Sequence, residues 1–187
     1  MKKIAIMILL MGLSLNVVAS IQSIGAYKVL AEGELELTTN SPVANSEVEI
    51  FLGLGVNELW GENGSAFKDS FNITGGEVFS FDWTFSTTDT YFDDFSFIDL
   101  KLNGNSIFSK KILGQSSAGN TTGQFLWEAT GTGILSYGIG ILNVGDNLAD
   151  SSIAISNINP VPLPAAAWLF LTGLLGLAGF KQKRSAI

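Results

Sequence analysis

The stretch Glu77-Val-Phe-Ser-Phe-Asp-Trp-Thr-Phe85 has an aromatic side chain at every second position from residue 79 to residue 85. Because side chains alternate between the two faces of a strand, the four aromatic rings lie on one face and the Ser, Asp and Thr side chains on the other. Each aromatic side chain buries on the order of 150–250 Å². This stretch therefore predicts a strand that runs through the centre of a hydrophobic core.

Shorter stretches on both sides of it alternate in the same way and are separated by turns rich in Gly, Asn and Ser. Asn103-Gly104 is the strongest turn signal, since this dipeptide is typical of a two-residue β-hairpin. Further strands are predicted at 34–38, 47–51, 67–73, 95–102, 106–113, 125–129, 133–144 and 152–158. The expected fold class is all-β: a two-sheet antiparallel sandwich, jelly-roll-like, with a helical segment at each end of the chain.

Composition excludes several kinds of function. The chain has no cysteine and no histidine, which removes disulfides, thiol nucleophiles and Ser-His-Asp catalysis. The formal net charge is −7, and once the basic ends are set aside the body keeps five lysines against all seventeen acids. A body of this charge does not bind nucleic acid through the phosphate backbone. Cation binding, or solubility in a crowded extracellular polymer, fits the charge better.

The N-terminus predicts export. Lys2 and Lys3 are followed by an apolar run over residues 4–18, and small residues precede a cleavage position after Ala19 or Ser20. This pattern is typical of a secretory signal peptide, residues 1–19, that is read by the Sec machinery and removed by signal peptidase. A membrane-retained anchor is the alternative. The body, residues 20–158, is then an exported domain.

The C-terminus, residues 159–187, has three features in order: a proline-containing linker, an uncharged run over residues 163–180 and a basic cluster. The uncharged run has 18 residues and would reach about 27 Å as a helix, near the lower limit for crossing a bilayer core. The basic cluster predicts a cytoplasmic C-terminus. Its residues are Lys181, Lys183 and Arg184.

These three features together resemble a PEP-CTERM sorting signal. The motif consists of Val161, Pro162, Leu163, Pro164 and Ala165, with Pro-Leu-Pro in place of the usual Pro-Glu-Pro. The resemblance implies recognition by exosortase, a membrane-embedded transpeptidase-like enzyme of Gram-negative bacteria that make exopolysaccharide. It implies transient residence in the inner membrane, then the cell surface or the extracellular matrix. An ordinary single-pass anchor is the alternative.

The body is similar to a recurrent exported β-sandwich that precedes such C-terminal signals. The similarity covers residues 60–158 and implies the fold without a ligand. Ser156 stands where that pattern usually has an aspartate. The matching stretches are residues 64–71, 76–85, 93–97, 138–146 and 150–155.

Acidic residues near one predicted loop suggest a possible calcium site. Asp89, Asp93 and Asp94 lie in the loop, and Asp82 lies on the preceding strand. Several carboxylates and loop carbonyls suit calcium, although the spacing does not match the Asp-x-Asp-x-Asp-Gly loop. A solvated acidic loop is the alternative, in which Asp93 and Asp94 could instead accept backbone N–H groups. No other cofactor is expected.

Four aromatic residues in or near loops are candidates for stacking on sugar rings: Trp60, Tyr91, Phe92 and Trp127. The alternative is that they cover the ends of the sandwich. Glycoside hydrolysis needs two carboxylates about 5–9 Å apart, and nothing in the sequence places two acids across a cleft. We therefore expect no enzyme, but an exported surface or matrix protein associated with exopolysaccharide or biofilm. The alternative function is a periplasmic binding or structural module tethered by an uncleaved C-terminal helix.

Overall fold

The computed structural model describes residues 21–31, 34–146 and 149–160, which form two antiparallel sheets and one α-helix. The helix α1 spans Asn45–Leu52. Sheet A contains β1 (Gln22–Ile24), β4 (Val43–Ala44), β5 (Asn63–Ile73), β7 (Phe95–Leu102), β8 (Asn105–Gln115) and β10 (Gly133–Asn143). Sheet B contains β2 (Ala26–Ala31), β3 (Glu34–Thr38), β6 (Val78–Thr87), β9 (Thr121–Glu128) and β11 (Ser151–Pro160).

The strand order is that of a jelly roll. Sheet A runs β1-β5-β10-β7-β8, with β4 paired to β5, and sheet B runs β2-β3-β11-β6-β9. From β5 onward, every connection except the β7–β8 hairpin passes from one sheet to the other. Two four-stranded sheets, β3-β11-β6-β9 and β5-β10-β7-β8, are thus wound together as in double-sheet jelly rolls. The predicted antiparallel sandwich is confirmed.

The main core lies between the sheets, and β6 supplies much of it. Phe79, Phe81 and Phe85 are at most 1% exposed, and Trp83 packs against the same cluster. Phe79 contacts the rings of Phe71, Phe81, Phe125 and Tyr137, with centroid distances of 4.9–6.0 Å. The alternating stretch at residues 77–85 therefore forms the core strand that its pattern predicts.

The β7–β8 hairpin also follows its sequence. Asn103 and Gly104 have φ values of 52° and 78°, the left-handed pair that a tight two-residue turn requires. The Asn103 side chain fixes the turn further, since its Oδ1 accepts the Ile134 N–H at 2.9 Å. Residues 95–102 form β7 as predicted, whereas β8 extends past the predicted segment at both ends.

The strand predicted at residues 47–51 is wrong, because this segment lies in helix α1. Val48 and Leu52, four residues apart, are buried on one helical face, and Gly53 ends the helix in the left-handed conformation. The buried Glu49 carboxylate accepts the N–H groups of Asn57 at 3.2 Å and Leu59 at 2.9 Å. An alternation pattern does not predict that a glutamate side chain accepts the backbone N–H groups of the loop that follows it.

Helix α1 covers part of the outer face of sheet A. Val48, Leu52 and Leu59 pack there against Phe97 and Leu142 in a second apolar cluster. Close approach depends on glycine in β10, because a Cβ at Gly138 would lie 2.5 Å from Leu52 and one at Gly140 would lie 2.6 Å from Phe97. Sheet A is therefore partly closed on its outer side.

Within the described residues, no helix is long and apolar enough to cross a membrane. The predicted signal peptide (1–19) and the predicted membrane helix (163–180) lie outside the described residues. The sorting motif from Val161 to Ala165 and the basic cluster lie outside them as well.

Candidate functional site

The outer face of sheet B has a floor of small side chains. The strand register places Ala26 of β2 beside Thr38 of β3, Thr38 beside Ser152 of β11, and Ser152 beside Ser86 of β6. Their neighbours Leu37, Ile153 and Phe85 point into the core. With strands about 4.8 Å apart, this row extends for roughly 14 Å across four strands.

Larger side chains stand on both sides of this row and turn it into a groove. The cleft has a volume of about 590 Å³. On one side are Lys28 of β2 and Glu36 of β3, which are cross-strand partners. The other side is formed by the loops at the end of the sandwich: Asn40, Thr88, Asn120 and Asp150. We call this cleft, with its floor Ala26, Thr38, Ser152 and Ser86, the sheet B groove.

The sheet B groove offers donors and acceptors that the protein does not use itself. The side chains of Lys28, Glu36, Ser86 and Ser152 make no hydrogen bond or ion pair with any other described residue. Asn120 accepts the Thr87 N–H through its Oδ1 at 2.9 Å, and its NH₂ group makes no hydrogen bond with any other described residue. An ammonium, a carboxylate, two hydroxyls and an amide are therefore available to a ligand.

The loop side of the groove is held by a buried polar network. Asp94 is fully buried and accepts the Ser151 hydroxyl at 2.7 Å and the Val144 N–H at 2.9 Å. Ser151 donates its backbone N–H to Thr39 Oγ1 at 2.9 Å, and its hydroxyl lies 2.8 Å from that of Thr87. These bonds fix the start of β11 and the end of β6, where two walls of the groove begin.

Burial raises the pKa of Asp94 above the ordinary aspartate value. The bonds from Ser151 and Val144 lower the pKa, whereas the negative charges of Asp89 and Asp146 raise it further. The network thus carries a carboxylate whose ionised form is costly. When ionised, Asp94 adds negative charge beneath the loop side of the groove.

The structure does not bring the four acids of the predicted calcium site together. Asp82 lies on the outer face of β6, where its two oxygens accept the amides of Gln124 at 3.0 Å and Asn157 at 2.8 Å. Asp94 points between the sheets. Strand alternation separates them, since β6 turns Asp82 away from the core. Among the described residues, no group of three or more acids is placed to hold a metal ion.

The acidic loop instead caps itself. Asp89 Oδ1 accepts the N–H groups of Tyr91 at 2.8 Å and Phe92 at 3.1 Å, an arrangement typical of an Asx turn. Asp93 is half-buried in the same loop. Loop capping was expected of Asp93 and Asp94, whereas the structure shows that Asp89 caps the loop and that Asp94 accepts the Val144 N–H.

Three of the four predicted stacking residues lie in loops at one end of the sandwich. Trp60 is 46% exposed and stacks on Phe95 with centroids 4.5 Å apart. Tyr91 is 89% exposed, and Phe92 packs so closely on Gly145 that a Cβ there would overlap its ring. All three present aromatic surface to solvent, since Phe92 is 41% exposed. None of them lines the sheet B groove.

Trp127 does not belong with them. It lies within β9, in the predicted strand at residues 125–129, opposite Phe79, and it packs against the main core. Strand β9 begins at Thr121, four residues earlier than the predicted strand, and the alternation from Phe125 directs Trp127 inward.

A second cleft, of about 390 Å³, lies on the outer face of sheet A beside the end of α1. Its lysines are engaged by the helix: Lys68 donates to Phe51 O at 2.7 Å, and Lys101 donates to Leu52 O at 2.9 Å. Lys101 also pairs with Asp99 at 3.0 Å. Cations at these carbonyls stabilise the negative end of the helix dipole. We regard this cleft as structural and the sheet B groove as the candidate site.

Sequence reasoning missed the groove residues. Thr38 and Ser152 lie in stretches where small or polar residues alternate with apolar ones, such as Ser152-Ile153-Ala154-Ile155. That alternation shows which side chains face outward. It does not show that β2, β3, β11 and β6 are neighbours.

No protein-family model matches the chain, and no curated protein matches it. Among solved structures, the enzymatically active domain of tailspike protein 4 from bacteriophage CBA120 is similar at 10% identity with a TM-score of 0.38. That match covers 75% of this chain and 18% of the tailspike chain, so this chain spans a small part of that protein.

Two carbohydrate-binding-module β-sandwiches are similar at the same level. CBM4 matches at 12% identity and a TM-score of 0.38, covering 75% of this chain and 76% of its own. TmCBM61, solved with β-1,4-galactotriose, matches at 9% identity and a TM-score of 0.37, covering 73% of this chain and 84% of its own. Similarities at this level do not indicate a function, so the function has to be argued from the geometry of the groove.

Proposed function

We propose that this protein is an exported, non-enzymatic module that binds polysaccharide in the sheet B groove. One observation carries the proposal: a floor of small side chains, about 14 Å long, lies beside Lys28 and Glu36. The side chains of Lys28 and Glu36 and the floor hydroxyls of Ser86 and Ser152 have no partner among the described residues. The expected setting is the cell surface or an exopolysaccharide or biofilm matrix.

Sugar hydroxyl groups both donate and accept, and the groove supplies both kinds of partner. Ser86 and Ser152 can do either, Glu36 accepts and Lys28 donates. Each new hydrogen bond has a net value of about 0.5–1.5 kcal/mol, and association itself has a large cost in freedom of motion. Four or five such bonds give about 2–7.5 kcal/mol before that cost, so they support weak binding of an oligosaccharide, with a Kd of about 1 mM or higher.

The acids argue for binding without hydrolysis. A glycosidase keeps one carboxyl protonated by raising its pKa. Burial raises the pKa of Asp69, Asp94 and Asp99, but none of these side chains lines the sheet B groove. The groove acids Glu36 and Asp150 are therefore proposed as hydrogen-bond acceptors only.

A bulky substitution in the floor tests the proposal. In Ser152→Trp the indole fills the groove, and we expect the affinity for polysaccharide to fall at least about tenfold, the loss of roughly one or two ligand contacts. Thr122→Trp is the matched control, because Thr122 is exposed on β9 of the same face outside the groove. Affinity electrophoresis in a panel of soluble polysaccharides measures both variants.

Loss of binding in Ser152→Trp with retention in Thr122→Trp supports the groove. Equal binding by both variants and the unmodified protein contradicts it. Thermal unfolding of each variant separates lost binding from lost folding, since a folded Ser152→Trp protein is required for the comparison.

Export and sorting are proposed on the sequence. Signal peptidase and the Sec machinery would act on residues 1–19, and exosortase would act at the motif from Val161 to Ala165. The described domain ends in β11 at Pro160, directly before that motif. A module tethered by the uncleaved helix remains the alternative. Mass spectrometry of the mature C-terminus distinguishes them: retention of residues 181–187 in cells with active exosortase excludes sorting.

A further inference from the structure

The charges around the sheet B groove point to a class of ligand. Three charged side chains line it: Lys28 and Glu36 on one wall and Asp150 on the other. Lys28 and Glu36 are cross-strand partners in β2 and β3, so their charges offset each other locally. Asp150 Oδ2 accepts the neutral Asn40 amide at 3.1 Å and pairs with no described cation. The loop wall is therefore negative.

A second carboxyl group lies below that wall. Asp94 is bonded at 2.7 Å to the hydroxyl of Ser151, whose neighbours Asp150 and Ser152 form wall and floor. Asp94 is fully buried and also has no described cation as partner. Salt screens a buried charge much less than an exposed one, so Asp94, when ionised, adds to the negative potential that Asp150 gives the loop wall.

The outer face of sheet B as a whole, Glu36 included, is acidic. Alternation in β3, β6 and β9 turns four carboxylates outward, and Lys28 is the one cation among the described residues of the outer face. Like-charge contacts are an effective means of excluding wrong partners. The four acids are Glu34, Glu36, Asp82 and Glu128.

The groups that can make contacts in the groove are mostly neutral. The floor has the hydroxyls of Thr38, Ser86 and Ser152, and the loop wall has the amides of Asn40 and Asn120. These groups match uncharged hydroxyls. From the neutral floor and the negative wall we infer that the groove takes a neutral polysaccharide lying across the strands, and rejects polymers that carry carboxylate or sulfate groups. This inference rests on the proposed polysaccharide function.

Paired polymers that share a backbone test it. Hydroxyethyl cellulose, galactomannan and starch are each compared with a carboxymethyl derivative, using the purified protein in affinity electrophoresis and calorimetry. We expect the neutral member to bind at least about tenfold more tightly at low salt, because repulsion acts on the derivative alone. Added sodium chloride should reduce the difference in affinity between the neutral polymer and its carboxymethyl derivative.

A charge variant identifies the source of the selectivity. Asp150→Asn keeps an acceptor for Asn40 and removes the wall charge, so the ratio of neutral to carboxymethyl affinity should fall by about threefold or more. Glu47→Gln is the matched control, since Glu47 is exposed on α1 at sheet A and should leave the ratio unchanged.

Tighter binding of the carboxymethyl derivatives overturns the inference and leaves the groove a polysaccharide site. An Asp150→Asn ratio equal to that of the unmodified protein also overturns it. Failure of every polymer, neutral and charged, contradicts the proposed function itself.

Discussion

Replacing Lys101 with Met tests how α1 is held against sheet A. Lys101 Nζ lies 3.0 Å from Asp99 Oδ2 and donates to Leu52 O at 2.9 Å and Gly53 O at 3.1 Å. Methionine has an unbranched side chain that can pack in a similar space. It removes all three interactions.

The magnitude follows from the burial of the partner. The Asp99 side chain is 5% exposed, its Oδ1 has no hydrogen-bond partner, and the Lys101 side chain is 21% exposed. Breaking a buried pair from one side costs about 3–5 kcal/mol, because a charge is left buried and unpaired. Since Lys101 is partly solvated, we expect a loss near the lower end, about 3 kcal/mol.

Urea unfolding at pH 7 measures this loss as a change in the free energy of unfolding. Adding Asp99→Asn to Lys101→Met should restore about 1–2 kcal/mol, because the unpaired charge is removed. Lys111→Met is the control: Lys111 is exposed on β8, and its replacement should cost less than about 1 kcal/mol. A loss below about 1 kcal/mol in Lys101→Met, or independent effects at the two positions, would refute the argument.

Three further predictions concern stability. Burial raises the pKa of both Asp94 and Asp99, so the free energy of unfolding should increase as the pH falls from neutral through these raised values and level off near the unfolded value of about 3.9. Thermal unfolding of the protein and of its Asp94→Asn variant across this pH range measures the effect. An identical pH slope in both proteins would mean that the Asp94 carboxyl does not contribute. Phe79→Ala should cost about 3–5 kcal/mol because Phe79 is fully buried, and a loss under about 1.5 kcal/mol by denaturant unfolding would show that the ring is not central. Gly140→Ala places a Cβ 2.6 Å from the ring of Phe97 and should cost about 1–3 kcal/mol, whereas an unchanged midpoint would mean that the ring can move aside.

Much of the fold follows from alternation and turn chemistry. The rings at residues 79, 81, 83 and 85 all contribute to the main core, and Asn103-Gly104 forms the β7–β8 hairpin. Each signal is local: it depends on the direction of neighbouring side chains or on φ at one turn. Such signals remain readable without knowledge of the partners.

Helix α1 shows where local reading fails. Glu47-Val48-Glu49-Ile50 alternates like a strand, yet Val48 and Leu52 also have the spacing of one helical face. Helix formation leaves Ile50 79% exposed. A strand would have placed Ile50 on the same face as Val48. Packing of Val48 and Leu52 on sheet A, and the loop bonds of Glu49, favour the helix. Those partners are distant in the sequence.

The groove could not be predicted for the same reason. Ala26, Thr38, Ser86 and Ser152 are separated by up to 126 positions and become neighbours only through strand register. The sequence drew attention to acids and aromatics, which are conspicuous. A ligand groove floored by small side chains has no local signature.

The most direct test of polysaccharide binding in the groove is an amide-resolved NMR titration of the protein with oligosaccharides from a neutral polymer that it binds. Shift changes should concentrate at residues 36–40, 86–88 and 150–152, which line the groove, and be absent at residues 68–70 and 136–138 beside the second cleft. Shifts confined to the second cleft, or to the loop around Trp60, would contradict the account.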